Sequence, residues 1–150
     1  MVRLGIGMYG IGINENEQNQ LENVGTLKTR ISQIKHVKKD QTVGYNRNGK
    51  VESDTKIATI PIGYADGFSR LLGNGNHGVY INGCFCKTIG NICMDMSIID
   101  VSNVSCQEGD EVIIFENTQQ ITDLAKALHS ISYEVLTNVS SRVKRIYIQE

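Results

Sequence analysis

Gly78-Val79-Tyr80-Ile81-Asn82-Gly83-Cys84-Phe85-Cys86 decides the fold class. Two short runs of strand-forming residues flank Asn82-Gly83. A two-residue type I′ turn needs positive φ at both central positions, which Asn and Gly adopt with least strain. The stretch predicts a tight hairpin. Outward from it, Ser97–Val101 and Glu111–Phe115 read as further strands, and Ile57–Ile62 is an apolar run rich in β-branched residues. Upstream, Leu27, Thr29 and Ile31 share one parity with Lys28 and Arg30 opposite, the alternation of a half-buried strand. The parity breaks near Ser32-Gln33 and resumes at Ile34, which predicts a bulge. Arg142–Ile148 reads as a last strand. Only Ile121, Leu124, Ala125 and Leu128 stand at helical spacing, predicting a helix over Thr122–His129, with a second helical turn near Tyr133–Asn138. The sum is a mainly β chain, a small barrel- or sandwich-like domain of about eight strands with one or two short helices.

The 150 residues are 40% hydrophobic and 21% charged, with net charge −1. The apolar share is too high for a disordered chain. No run of about 18 apolar residues exists to span a membrane. The near-balance of charge argues against a general nucleic-acid binder, which carries a basic excess. Lys28, Arg30, Lys35, Lys38 and Lys39 form a basic stretch, but without interleaved aromatics it reads as a solvated face. The first residues show no basic-then-apolar signal pattern, so Cys84, Cys86, Cys93 and Cys106 are expected to be reduced and mostly buried. Their spacing fits no zinc pattern, and His36, His77 and His129 are scattered.

Residues 1–13 are apolar and glycine-rich, and residues 14–24 are polar and acidic like a linker. A dozen residues cannot fold alone, so residues 1–13 are expected to belong to a larger unit and 25–150 to form the domain proper. Gly5-Ile6-Gly7-Met8-Tyr9-Gly10 spells GxGxxG, but no strand of adequate length precedes it and an acidic loop follows. The dinucleotide reading therefore fails on context. Glycine still lets backbone N–H groups approach a phosphate closely. Gly63-Tyr64-Ala65-Asp66-Gly67 is a compact turn, and Ile92-Cys93-Met94-Asp95-Met96 reads as a buried strand with Asp95 capping a turn. Tyr45 lies in a glycine-flanked loop. A tyrosine there serves as a general acid or base only beside a cation, because free phenol has a pKa of about 10. Arg3, Arg142 and Arg145 are the candidates, and spacing does not choose among them.

Taken together, Val2-Arg3-Leu4-Gly5, Gly44-Tyr45, Ile60-Pro61-Ile62-Gly63-Tyr64-Ala65-Asp66-Gly67, Gly90-Asn91-Ile92-Cys93-Met94-Asp95-Met96, Gly109-Asp110-Glu111-Val112, Tyr133-Glu134-Val135 and Arg142-Val143-Lys144-Arg145 stand in an order that resembles bacterial alanine racemase. The resemblance covers the C-terminal β-domain of that family plus the last strand and loop of its barrel. It implies an isomerase that uses pyridoxal 5′-phosphate to interconvert L- and D-alanine for peptidoglycan of the cell wall. It also implies a cytoplasmic location and a head-to-tail dimer in which each site joins one subunit's (β/α)8 barrel to the partner's β-domain.

Residue by residue, the resemblance assigns Tyr45 as the catalytic tyrosine given to the partner's site. Arg3 would face the pyridine nitrogen, and Gly5, Ile6 and Tyr133 would hold the phosphate. Met94 would offer its backbone N–H to the substrate carboxylate, Tyr64 would line the entrance, and Asp95 would support the loop. Arginine at position 3 keeps its proton, leaving the ring nitrogen unprotonated and discouraging transamination. The lysine that binds the cofactor belongs to a barrel motif this chain lacks, so the chain alone is expected to be inactive. Asn91 stands where the family often has arginine. Two other readings stay open: a racemase domain acting on serine or another amino acid, and a non-enzymatic β-barrel binding module. The racemase reading implies that residues 1–13 dock poorly without their neighbours, whereas a free-standing module would pack them.

Overall fold

The computed structural model describes residue 1 and residues 5–148. Among the described residues nine strands run in the order β1 (Leu27–Arg30), β2 (Gln33–Val37), β3 (Thr42–Val43), β4 (Gly49–Lys50), β5 (Thr55–Ile60), β6 (Gly78–Ile81), β7 (Cys84–Lys87), β8 (Ser97–Asp100) and β9 (Glu111–Phe115). Three short α-helices accompany them there: α1 (Glu15–Gln18), α2 (Thr118–Ala127) and α3 (Ser132–Thr137). Among the described residues the strands form three open sheets, β1-β9-β6-β7, β2-β5-β8 and β3-β4, and no closed barrel. All pairings are antiparallel.

The hairpin read from Asn82-Gly83 forms as expected. Asn82 and Gly83 adopt φ of 49° and 78° and join β6 to β7 with Ile81 facing Cys84. The parity break at Ser32-Gln33 has a different origin from the expected bulge: the chain changes sheets there. Ile31 N–H donates to the Asp110 carbonyl and Ser32 N–H to the Thr59 carbonyl, so β1 pairs with β9 and β2 with β5. The sequence pattern of a bulge and of a sheet switch is the same, one displaced residue between two alternating runs.

β5 is the central strand of its sheet and is covered on both faces. Ala58 and Ile60 enter the main core, while Ile57 on the opposite face enters a smaller cluster with Val37, Val43 and Val51. Period-two alternation thus feeds two cores from one strand. In the main core Ile60, Ile81 and Ile99 are fully buried, each worth about 1.5–3 kcal/mol of burial. Helix α2 begins earlier than expected because the Asn117 side chain accepts from the Gln120 N–H and caps it. Its apolar face (Ile121, Leu124 and Ala125) seals the main core.

Three further expectations are corrected. Residues 142–148 form no strand; Ile146, Tyr147 and Ile148 are exposed, and side chains hold the start of the segment. Arg145 donates to the carbonyls of Val139, Ser140 and Val143. Only Cys86 is buried; Cys93 and Cys106 are half-buried and Cys84 exposed, all of them free thiols. The loose docking expected for residues 1–13 does not hold for the described part. Ile6 and Ile11 are buried in the main core, although Met8, Tyr9 and Ile13 remain exposed. The GxGxxG stretch forms a 3₁₀ turn over Ile6–Tyr9 rather than a strand-to-helix junction. No described helix is long and apolar enough to cross a membrane.

Candidate functional site

The smaller core builds the platform for Tyr45. Val43 at the end of β3 and Gly49 at the start of β4 pack on each other, and residues 44–48 project between them. Gly44, Asn46 and Arg47 all take left-handed backbone, with φ of 76°, 57° and 56°. The Arg47 Nε braces the loop by donating to Thr42 Oγ1 at 3.1 Å. Tyr45 stands out from this loop, 72% exposed.

A second loop lies against the first. A Cβ on Gly90 would sit 3.2 Å from Gly49 and from the Val43 carbonyl, and one on Gly44 would sit 3.9 Å from the Asn91 nitrogen. The Tyr45 hairpin and the Gly90–Met96 loop are therefore in backbone contact. That loop carries Met94 and Asp95, both exposed. Among the described residues the Met94 N–H meets no acceptor. Asn91 accepts from Asn74 Nδ2 at 3.1 Å.

A third loop locks onto the second. Tyr64 N–H donates to the Cys93 carbonyl at 3.0 Å and Ala65 N–H to the Met94 carbonyl at 3.1 Å. Gly63 makes this possible: a Cβ there would fall 2.2 Å from the Cys93 carbonyl oxygen and 2.4 Å from that of Met94. Asp66 is buried and closes its own turn, Oδ2 accepting from the Gly63 N–H at 2.9 Å. Its Oδ1 accepts from Arg142 Nε at 2.8 Å, and the same guanidinium pairs through Nη2 with Asp95. Asp95 is thus an ion-pair partner instead of the turn cap expected. Arg142 is engaged by these two carboxylates. Sequence reasoning passed over Asp66; its signal was a carboxylate three residues after Gly63, able to reach back to that N–H as in a capping box.

Tyr64, Tyr45, Met94 and Asp95 consequently belong to three loops, with the Gly90–Met96 loop touching each of the other two. Gly5, Ile6 and Tyr133 form a separate corner. The Ile6 N–H donates to the Tyr133 hydroxyl at 2.9 Å, and Gly5 lies against the same oxygen. A phenol that accepts from a backbone N–H keeps its own proton for donation. The corner therefore offers a hydroxyl and closely approaching backbone to an anion, which fits a phosphate. Beside it lies a groove of about 340 Å³ lined by Ile6, Ile11, Ala125, Lys126, Ile131 and Tyr133. Arg3 lies outside the described residues.

A family model described as "Alanine racemase, C-terminal domain" matches residues 24–147. Alanine racemase 2 of Caldanaerobacter subterraneus subsp. tengcongensis is 43% identical over 99% of this chain and 40% of its own length. Alanine racemase of Helicobacter pylori is 36% identical over 99% of this chain and 41% of its own length. Among solved structures, alanine racemase from Bacillus anthracis with bound L-Ala-P superimposes with a TM-score of 0.85 at 31% identity, covering 97% of this chain and 39% of that one. Alanine racemase from Bartonella henselae with covalently bound pyridoxal phosphate gives 0.86 at 31% identity, covering 96% of this chain and 40% of that one. The chain spans about 40% of the length of the curated relatives it matches.

Proposed function

This chain belongs to the alanine racemase family through its C-terminal domain, and we propose that it completes the site of a racemase that interconverts L- and D-alanine. The observation that carries the reading is the backbone contact between the Tyr45 hairpin and the Met94 loop, with the Met94 N–H open and Tyr64 on the adjoining loop. Both faces of a Cα must be served for its configuration to invert. Tyr45 serves one face: deprotonated, its oxygen takes the Cα proton of L-alanine, and protonated, it returns a proton to that same face when L-alanine forms from D-alanine. Arg142 and Arg145 are engaged elsewhere, so the cation beside it would be one other than these. Met94 donates its N–H to the substrate carboxylate and so fixes which face Tyr45 meets. Tyr64 narrows the approach, and Asp95 supports the loop through Arg142.

Pyridoxal phosphate, when bound, supplies the electron sink that makes the Cα proton removable. The Tyr133 hydroxyl and the Gly5 backbone would hold its phosphate, with the Ile6 N–H orienting that hydroxyl, and Arg3 would face its ring nitrogen on the strength of the family resemblance. Tyr45, Tyr64 and Met94 are exposed, and none of them lines the groove beside Tyr133. This favours a dimer in which Tyr45 and Met94 reach a partner's site while Tyr133 serves its own barrel. The cytoplasm is the proposed setting.

The test is a protein joining this domain to its cofactor-binding barrel, assayed for D-alanine formed from L-alanine. Tyr45→Phe should cut proton abstraction from L-alanine by about 10²-fold or more and leave cofactor absorbance nearly unchanged. Near-wild-type turnover in Tyr45→Phe would refute the assignment. The 150-residue chain mixed with the cofactor and L-alanine should form no D-alanine at enzymatic rates.

A further inference from the structure

We propose that Arg142 is a positioning residue, clamping the Tyr64 and Met94 loops into one unit so that the Met94 N–H holds a fixed direction. The inference rests on the functional reading above. Arg142 is distant in sequence from both loops, yet its guanidinium reaches Asp66 in one and Asp95 in the other. The two ends of this bridge differ. Asp66 is buried and already tied to the Gly63 N–H, so it is the anchor. Asp95 is half-exposed and follows Met94 directly, so it is the element being held.

Without Arg142 the Met94 segment keeps backbone bonds from Tyr64 and Ala65 and its own Cys93 N–H to Met96 carbonyl bond. All of these hold carbonyl groups or the Cys93 N–H. The Tyr64 bond fixes the carbonyl end of the planar Cys93–Met94 peptide. The Arg142 clamp on Asp95 holds the chain on the other side of Met94, so the peptide is held from both directions. Lysine replaces it poorly, because its donors share one nitrogen on a flexible stem, whereas Arg142 sends Nε to Asp66 and Nη2 to Asp95 from one rigid plane.

Amide hydrogen exchange on the 150-residue chain tests the clamp without any assumption about catalysis. Arg142→Lys should speed exchange of the Tyr64, Ala65 and Cys93 amides about tenfold, the loss of one charge-assisted hydrogen bond, while β6–β7 amides stay as in wild type. Asp95→Asn, at an exposed position, should speed Cys93 and spare Gly63. Unchanged loop exchange in both variants overturns the inference and leaves the proposed function standing. Should Arg142→Met speed exchange everywhere, the milder Arg142→Lys and Asp95→Asn chains decide.

In the protein joined to its barrel, Arg142→Lys should raise KM for alanine about fivefold with kcat changed less than about twofold, the pattern of weakened carboxylate binding. Faster loop exchange with an unmoved KM would overturn the positioning role. A wild-type fusion with no racemase activity would instead sink the functional reading, and the exchange data would still judge the clamp.

Discussion

Gly63→Ala puts the greatest strain on the arrangement of loops for the smallest chemical change. Gly63 has φ of −147°, an extended backbone that alanine adopts freely, so the substitution acts by contact alone. The added methyl would lie 2.2 Å from the Cys93 carbonyl oxygen and 2.4 Å from that of Met94, where real side chains keep at least 3.0 Å. Both obstacles are backbone atoms, so no side chain can swing away. The Met94 peptide must retreat by about 0.8 Å to clear the methyl. Overpacking of this kind costs about 1–3 kcal/mol, which for a chain of this length lowers Tm by about 3–10 °C. A displacement near 1 Å at a substrate contact costs up to about 10²-fold in rate, so kcat/KM for alanine in the protein joined to its barrel should fall by about 10- to 100-fold. Thermal unfolding followed by circular dichroism measures the first effect and steady-state racemisation the second. Gly25→Ala is the control, because nothing lies within 4 Å of its Cβ position. Should Gly63→Ala match Gly25→Ala in both assays, the close packing of the Tyr64 and Met94 loops would not be what positions the site.

Tyr133→Phe removes the acceptor of the Ile6 N–H and should lower stability by about 1–2 kcal/mol; in the protein joined to its barrel it should also weaken pyridoxal phosphate binding, read by titration of cofactor absorbance, and unaltered affinity would remove Tyr133 from the phosphate corner. His77 is half-buried against Phe85, and burial pushes its pKa below the ordinary 6.5, with Asp123 opposing. The unfolded chain therefore binds that proton first, so stability is full above about pH 6.5 and declines as pH falls through the folded value. Urea midpoints between pH 8 and pH 5 should show this decline, and His77→Gln should flatten it; equal slopes would rule His77 out as its source.

The hairpin at Asn82-Gly83, the strands at Ser97 and Glu111 and the helix around Leu124 were legible because each is set by neighbours in sequence: a turn that needs positive φ, an alternation of period two, a stripe of period 3.6. The sheet switch at Ile31-Ser32 was not, since a displaced residue looks the same whether the strand bulges or leaves for another sheet. The Arg142–Ile148 pattern shows the converse. Its alternation suits a strand, but among the described residues no strand pairs with it, and the arginine side chains fix its course instead.

Chemical types and the order of the loops came from the sequence by itself, because residue identity dictates what a tyrosine, an amide or an arginine can do. Which loops touch came only from the folded chain. Asp66, Asp95 and Arg142 are far apart along the polymer, and no local periodicity encodes their meeting. It follows from two packed cores and from the glycines at 49, 63 and 90, whose missing side chains let two backbones close on the Gly90–Met96 loop.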